Sequence, residues 1–128
     1  MKSDKDVEKG KEEFVEMMRV KTKKFAVDAF NLCNSLSPGR AYGTVVCQLV
    51  KSASSTGANY RAACRARSKK EFFSKMSIVV EEADESLYWL EMIQDLKAPC
   101  DQKEVTRLMQ EIDEIIRITA KAKNSASN

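Results

Sequence analysis

Hydrophobic residues recur at steps of three or four along most of the chain. This spacing places them on one face of a helix and leaves the charged residues on the other faces, so it predicts amphipathic helices. Four such segments occur, and we expect helices over about residues 9–36, 41–66, 69–97 and 101–123. The positions expected to face the core are Phe14, Met18, Phe25, Ala29, Leu32 and Leu36 in the first helix, Tyr42, Val45, Leu49, Ala53, Thr56, Tyr60 and Ala63 in the second, Phe72, Met76, Val79, Ala83, Leu87, Leu90 and Gln94 in the third, and Val105, Leu108, Ile112, Ile115 and Thr119 in the fourth.

Residues that end or begin helices lie between these segments. The Ser37-Pro38-Gly39 sequence is expected to end the first helix, because proline cannot continue a helix and glycine favours a turn. Ser68 and Asp101 are expected N-caps of the third and fourth helices, since each is followed three residues later by a glutamate. Residues 1–8 are expected to form a flexible N-terminal tail, and residues 124–128 a disordered C-terminal tail.

Short connections favour antiparallel neighbours, so the predicted fold is all-α, an antiparallel up-down-up-down four-helix bundle over residues 9–123. The length of 128 residues suits one domain, and 4 glycines with 2 prolines are too few for the turns of a β-protein. The chain is 43% hydrophobic and 32% charged, which excludes both a disordered chain and a membrane bundle. Because neither a long apolar run nor a signal-peptide core is present, we expect a cytoplasmic protein with no membrane partner.

The chain has no histidine, and this argues against most catalytic and metal sites. Ser–His and Cys–His pairs, common zinc sites and the di-iron motif of helical bundles all require histidine. The 4 cysteines are widely spaced, and we interpret them as buried apolar residues. The acidic run Glu81-Glu82-Ala83-Asp84-Glu85 is expected to have charge partners in Lys21, Lys23 and Lys24 rather than a bound metal ion. We therefore predict no enzymatic activity, no catalytic residue, no metal and no cofactor.

The junction between the second and third helices carries a family resemblance. It reads Ala58-Asn59-Tyr60-Arg61-Ala62-Ala63-Cys64-Arg65-Ala66-Arg67-Ser68-Lys69-Lys70-Glu71-Phe72, and Ser77-Ile78 follows. This pattern resembles the signature of the four-helix bundle protein family, also called the 23S ribosomal RNA intervening-sequence protein family, over about residues 25–96. Many relatives carry glycines within the segment Arg61–Arg65, so we expect a straighter and more positively charged second helix here.

The resemblance implies a compact bundle that assembles into a ring of five subunits. The first described members are encoded inside insertions in bacterial large-subunit ribosomal RNA genes. A related protein, the accessory variability protein of diversity-generating retroelements, forms a basic ring that binds a reverse transcriptase and nucleic acid. For this chain the resemblance therefore implies a homopentamer, with RNA or DNA and a reverse transcriptase or another protein as partners.

Although the net charge is only +3, from 22 basic and 19 acidic residues, the predicted topology gathers positive charge at one end. In an antiparallel bundle Arg65 lies level with about residue 13 of the first helix, with about residue 69 of the third and with the end of the fourth. We call the cations of the last three helices at this end the basic pole: Arg61, Arg65, Arg67, Lys69, Lys70, Lys121 and Lys123. The first helix adds Lys9 and Lys11, so that nine cations meet four carboxylates, from Glu8, Glu12, Glu13 and Glu71.

The basic pole has two interpretations. A concentration of exposed cations favours contact with the phosphate backbone of RNA or DNA. Alternatively, Arg61 and Arg65 form ion pairs with Glu13 and Glu16 of the first helix, each contributing about 0–1 kcal/mol, and leave little charge for a ligand. Among the aromatic residues only Tyr60 is expected near this end, within the core, so we expect contact with the backbone rather than with bases.

Apolar residues outside the core stripes predict association of subunits. They form one lane on the first helix and one on the third, and because the lanes lie on different helices a head-to-tail contact that closes into a ring-like homo-oligomer is expected. The lane residues are Val20, Val27 and Phe30 on the first helix and Ile78, Trp89, Met92 and Leu96 on the third.

Two functions remain open from the sequence. The leading prediction is an oligomeric, non-enzymatic accessory protein that binds RNA or DNA backbone through the basic pole. The alternative is a protein-interaction scaffold that binds no nucleic acid.

Overall fold

Four helices and no strand make up the fold in a computed structural model, which describes residues 3–36 and 39–126. Helix α1 spans Asp4–Asn34, α2 spans Arg40–Cys64, α3 spans Lys69–Asp95 and α4 spans Gln102–Ala126. The predicted all-α four-helix fold is thereby confirmed. The break expected at Ser37 and Pro38 lies outside the described residues.

The helices pack mainly as sequential neighbours. The largest contacts join α2 to α3 and α3 to α4, followed by α1 to α2, while α1 and α4 meet over a much smaller area. Among the described residues, α1 has no close backbone approach to α3, and α2 has none to α4, so these are the two diagonal pairs of the bundle. This is the packing that short connections between antiparallel helices favour.

Helix α1 begins earlier than the hydrophobic pattern predicts. The Ser3 side chain accepts a hydrogen bond from the backbone N–H of Asp6 at 3.2 Å. Acidic side chains at Asp4 and Asp6 also favour a helix start, because they interact well with the partial positive charge of its N-terminus. Residues 4–8 are therefore helical rather than a flexible tail, and α4 likewise continues through residues 124–126.

The turns on either side of α3 are held by local hydrogen bonds. The Ser68 hydroxyl accepts from the backbone N–H of Glu71 at 3.0 Å, which confirms the predicted N-cap of α3. Asp101 caps α4 by accepting from the backbone N–H of Lys103 at 3.0 Å. At the end of α3, Lys97 has a φ of 51°, the left-handed conformation that commonly ends a helix.

The core follows the predicted stripes except in α3, at the start of α1 and at Tyr42 of α2, which is half-buried. All five predicted positions of α4 are buried. In α3 the buried positions are Ser86 and Ile93 rather than Leu87 and Gln94. Ser86 tolerates burial because its Oγ lies 2.9 Å from the Ser52 Oγ on α2, so the hydroxyls of both helices are hydrogen-bonded.

Ion pairs join α1 to α4 where their apolar contact is small. The Nζ of Lys21 lies 2.7 Å from a carboxylate oxygen of Glu111 and 3.1 Å from one of Glu114. Burial lowers the pKa of Lys21, but the hydrogen bonds to the two carboxylates outweigh it and the pKa is raised. The expected pairing of Lys21 with the acidic run is thus wrong, because α3 lies diagonally across the bundle from α1.

A second ion-pair group closes the same seam. The Arg107 guanidinium of α4 lies 2.8 Å from the Asp28 carboxylate of α1, and Lys24 lies 2.7 Å from the same oxygen. Burial raises the pKa of Asp28, but the hydrogen bonds from Lys24 and Arg107 outweigh it, so the pKa is held below its usual value. Lys24, like Lys21, is therefore paired away from the acidic run.

We expect Val105→Ala to lower the free energy of unfolding by about 2 kcal/mol, because it removes two fully buried methyl groups and leaves a cavity. Val27→Ala is the matched control, since Val27 is 50% exposed, and it should change stability by less than about 0.5 kcal/mol. Urea unfolding of dilute protein measures both. Equal losses would contradict the assigned core.

We expect Asp28→Asn to destabilise the protein by about 1 kcal/mol near neutral pH. The pKa of Asp28 is lower in the folded protein than its value of 3.8 in the unfolded chain. The carboxylate therefore stabilises the fold fully above pH 3.8, and this contribution is lost as the pH falls through the pKa of the folded state. The difference between wild type and variant should therefore shrink below about pH 4. Asp113→Asn is the control, because the Asp113–Arg117 pair is exposed and lies within α4; a pH-independent difference for Asp28→Asn would refute the assignment.

Candidate nucleic-acid interface

The antiparallel packing brings the end of α2, the start of α3 and the end of α4 to one end of the bundle. A groove at this end has a volume of about 570 Å³ and takes lining residues from all four helices. We call it the tip groove; its lining residues are Asp6, Val7, Gly10, Lys11, Phe14, Val15, Tyr60, Ala63, Cys64, Ala66, Phe72 and Ala122. The seven residues of the basic pole are sequence neighbours of this lining, so they surround the same end.

Most side chains of the basic pole are exposed and unpaired. Arg67 lies 3.9 Å from Glu71, with its side chain still 90% exposed. Lys123 is half-buried, and its Nζ lies 5.3 Å from the centre of the Phe73 ring. Within residues 3–36 and 39–126 the other five have no carboxylate within 4.0 Å: Arg61, Arg65, Lys69, Lys70 and Lys121.

The alternative pairing of the pole with α1 is not formed. Glu16 lies 3.7 Å from Arg19 on its own helix. Neither Glu13 nor Glu16 comes within 4.0 Å of Arg61 or Arg65 in the described part of the chain. The guanidinium groups at the end of α2 therefore remain available to a ligand.

The start of α1 contributes negative charge to this end, contrary to expectation. Between residues 4 and 13 it has three lysines and five carboxylates, a net charge of −2. The other three helices contribute the seven cations of the basic pole and one carboxylate, that of Glu71, so their net charge at this end is +6. Lys9 and Lys11 therefore do not extend the positive surface, which belongs to α2, α3 and α4.

Aromatic side chains at this end are more numerous than the sequence predicts. Phe14, assigned to the core, is 42% exposed and lines the tip groove together with Phe72. The reason is the position of Phe14 along the bundle: Gly57 lies against Thr22, so Phe14 is about level with Arg65, just past the end of α2, and has little of that helix to pack against. The prediction that only Tyr60 lies near the pole is therefore wrong.

Tyr60 itself has a structural role. Its side chain is buried, as predicted, and its hydroxyl lies beside the Cys64 thiol. Burial raises the pKa of both groups. The Tyr60 ring is therefore closed to stacking with a base, and the exposed ring at this end is that of Phe14.

The two apolar lanes differ in exposure. On α1 the lane is open to solvent, with Val20 58%, Val27 50% and Phe30 55% exposed. On α3 Leu96 is 47% exposed, whereas the other three lane residues are half-buried: Ile78, Trp89 and Met92.

Trp89 does not face solvent as the lane prediction implies. It packs against the main core cluster, and its indole N–H donates to the Glu85 carboxylate at 3.3 Å. The exposed aromatic of α3 is its neighbour Tyr88, which is 54% exposed and makes an edge-to-face contact with the Trp89 ring at 5.0 Å. The exposed part of this lane is therefore Tyr88 and Leu96.

The remaining candidate chemistry is sparse in the described residues. They contain no group of three or more metal-ligating side chains. Burial and the neighbouring Glu85 raise the pKa of Glu82, and the positive charge of Lys51 on α2 opposes them. Cys33 is buried, and burial together with Cys100 raises its pKa to about 11, whereas Cys47 is exposed, contrary to the expectation for all four cysteines.

Within residues 3–36 and 39–126, none of the helices combines the length and apolarity that crossing a membrane requires.

Comparisons with known proteins agree with the fold. The sequence model of a family described as 23S rRNA-intervening sequence protein matches residues 16–121. The crystal structure of a protein of unknown function from the S23 ribosomal protein family of Bacteroides thetaiotaomicron VPI-5482 is similar, with a TM-score of 0.77 and 26% sequence identity. The alignment covers 86% of this chain and 97% of that one. No curated protein matches the chain significantly.

Proposed function

This chain belongs to the 23S rRNA-intervening sequence protein family, and from that premise we propose that it binds the backbone of RNA or DNA through the basic pole. In this proposal the protein is a non-enzymatic accessory factor that acts as a homo-oligomer. The observation that carries the proposal is the set of five exposed pole cations without carboxylate partners.

Unpaired cations favour a polyanion for a physical reason. A salt-bridged arginine must give up its carboxylate before it contacts a phosphate, whereas Arg61 and Arg65 have no such partner in the part of the chain that the structure describes. Phosphates bound by these side chains release condensed counterions, which makes the binding favourable and strongly dependent on salt. Contacts of this kind position a nucleic acid without reading its sequence.

Self-association is supported by the exposed lane of α1. Three large apolar side chains lie together in solvent there, and a helix of a monomer seldom exposes such a patch. The exposed residues of α3, Tyr88 and Leu96, lie on the helix diagonally opposite. Because the two apolar surfaces are on opposite helices, a head-to-tail contact joins α1 of one subunit to α3 of the next and allows a ring. The pentamer comes from the family resemblance.

A protein-interaction scaffold is the second candidate, and the tip groove favours it. The groove is lined mainly by apolar side chains, including Phe14 and Phe72, and is large enough for side chains of a partner protein. A reverse transcriptase, suggested by the family resemblance, would be one such partner. This function requires no phosphate contact, so nucleic-acid titrations separate the two candidates.

We expect the double variant Lys69→Gln with Lys70→Gln to weaken binding to structured RNA and duplex DNA. Removing two phosphate contacts should make the slope of log affinity against log salt shallower by about two. Fluorescence anisotropy at several salt concentrations measures this slope.

The matched control is Lys97→Gln with Lys103→Gln at the opposite end of the bundle. It removes the same charge from two exposed lysines, so it should leave the salt slope close to that of wild type. Equal effects of the two double variants would mean that net charge, not the basic pole, drives binding. Absence of binding at low salt would leave only the scaffold.

We expect Phe30→Glu to dissociate the oligomer, because it buries a carboxylate in the proposed contact with α3. Asn31→Glu is the control: it adds the same charge to the exposed neighbouring position, about 100° around the helix. Sedimentation velocity gives the mass of each protein. A wild type that sediments as a monomer, or a Phe30→Glu variant as large as wild type, would refute the proposed interface.

A further inference from the structure

A second groove lies between α1 and α2, away from the tip groove. It has a volume of about 340 Å³. We call it the side groove; its lining residues are Arg19, Lys23, Ala26, Ser54, Gly57, Ala58 and Arg61. No carboxylate belongs to this lining, and Arg61 is its one member that also belongs to the basic pole.

Three cations from two helices share the side groove. Arg19 and Lys23 are one helical turn apart on α1, and Arg61 faces them from α2. Like charges at this spacing repel each other, so a bound anion stabilises the arrangement. Carboxylates of the described chain neutralise little of this positive charge. Arg19 lies 3.7 Å from Glu16, whereas Lys23 and Arg61 have no described carboxylate within 4.0 Å.

Small residues form the floor of the side groove. Ala26 contributes from α1, and Ser54, Gly57 and Ala58 contribute from α2. The helices are close here, since a Cβ at Gly57 would lie 3.5 Å from the backbone carbonyl of Thr22. A narrow floor with a cationic rim leaves room for a compact anion beneath the longer side chains.

From this geometry we infer that the side groove is a phosphate-binding site formed by Arg19, Lys23 and Arg61. Guanidinium groups present paired N–H donors that match phosphate oxygens, lysine adds a third positive charge, and the Ser54 hydroxyl is a further donor. This inference rests on the proposed function only for the identity of the phosphate. When the basic pole binds a nucleic-acid strand, the phosphate in the side groove is a phosphodiester of that strand. A free phosphate compound presents the same chemistry.

The side groove continues the basic pole along one side of the bundle. Arg61 belongs to both surfaces, and Arg65 lies one turn further towards the tip on the same face of α2. Lys23 is level with about Gly57 of α2, since a Cβ at Gly57 would lie 3.6 Å from the backbone nitrogen of Lys23, so the cations from Lys23 to Arg65 span about 12 Å along the bundle. That length corresponds to about three to four nucleotides of a stacked single strand, at roughly 3.4 Å each.

The test places a carboxylate on the floor of the groove. Ala58 is exposed on α2, so Ala58→Glu and its uncharged match Ala58→Gln should both fold normally. Titration of a labelled eight-nucleotide oligouridylate should give at least about tenfold weaker binding for Ala58→Glu and a change within about twofold for Ala58→Gln. Pyrophosphate should shift the backbone amide resonance of Gly57 in wild type and in Ala58→Gln, but not in Ala58→Glu.

The outcomes separate this inference from the proposed function. If oligouridylate binding depends on Lys69 and Lys70 but is the same for both Ala58 variants, the side groove is not a phosphate site and the basic pole stands. If oligouridylate, structured RNA and duplex DNA all fail to bind at low salt but pyrophosphate shifts Gly57, the phosphate site stands for free phosphate compounds and the proposed function fails. A Gly57 resonance that moves with a polyglutamate peptide and not with pyrophosphate assigns the groove to an acidic protein and overturns the inference.

Discussion

Burial of four apolar stripes against one another, in antiparallel order, is the constraint from which the other features follow. It places α2 between α1 and α3 and leaves α1 and α3 on opposite corners of the bundle. It also brings the α2–α3 turn to the same end as the last turn of α4, although about 50 residues separate Lys70 from Lys121 along the chain. Five members of the basic pole lie close together in the sequence, between residues 61 and 70, and the topology adds Lys121 and Lys123 of α4 to them.

The cations of the bundle fall into two groups. Some form ion pairs between helices, and others have no carboxylate partner in the described chain and can contact a ligand. Lys21 and Arg107 are bound to carboxylates across the seam between α1 and α4, where the two backbones come close at fewer points than in the other neighbouring pairs. Among residues 3–36 and 39–126, Arg61 and Arg65 have no such partner: Glu16 of α1 pairs with Arg19 on its own helix, and Glu13 is not within 4.0 Å of either arginine. The cations that hold the bundle together are therefore different residues from those we propose for ligand binding.

The early start of α1 changes the character of the basic end. Residues 4–13 carry net negative charge and Phe14, which follows them, is exposed at the same end as the positive surface formed by the other three helices. A nucleic acid approaching this end would meet the cations of α2, α3 and α4, and the side groove offers a path away from the acidic start of α1. An oligomer formed through the α1 lane would repeat this surface in every subunit.

The sequence by itself determined the helical fold, the caps at Ser68 and Asp101 and the buried face of α4, because these depend on hydrophobic period and local hydrogen bonds. It did not reveal that Ser86 is a core residue, since its burial requires the Ser52 hydroxyl of another helix. Nor did it predict the exposure of Phe14 or the half-burial of Trp89, because a stripe on one helix does not tell how far its neighbour extends. Tertiary structure likewise decided which lysines and arginines form ion pairs, because an ion pair depends on the distances between helices. Since α1 and α3 are diagonal, Lys21 pairs with Glu111 of α4 and not with the acidic run of α3.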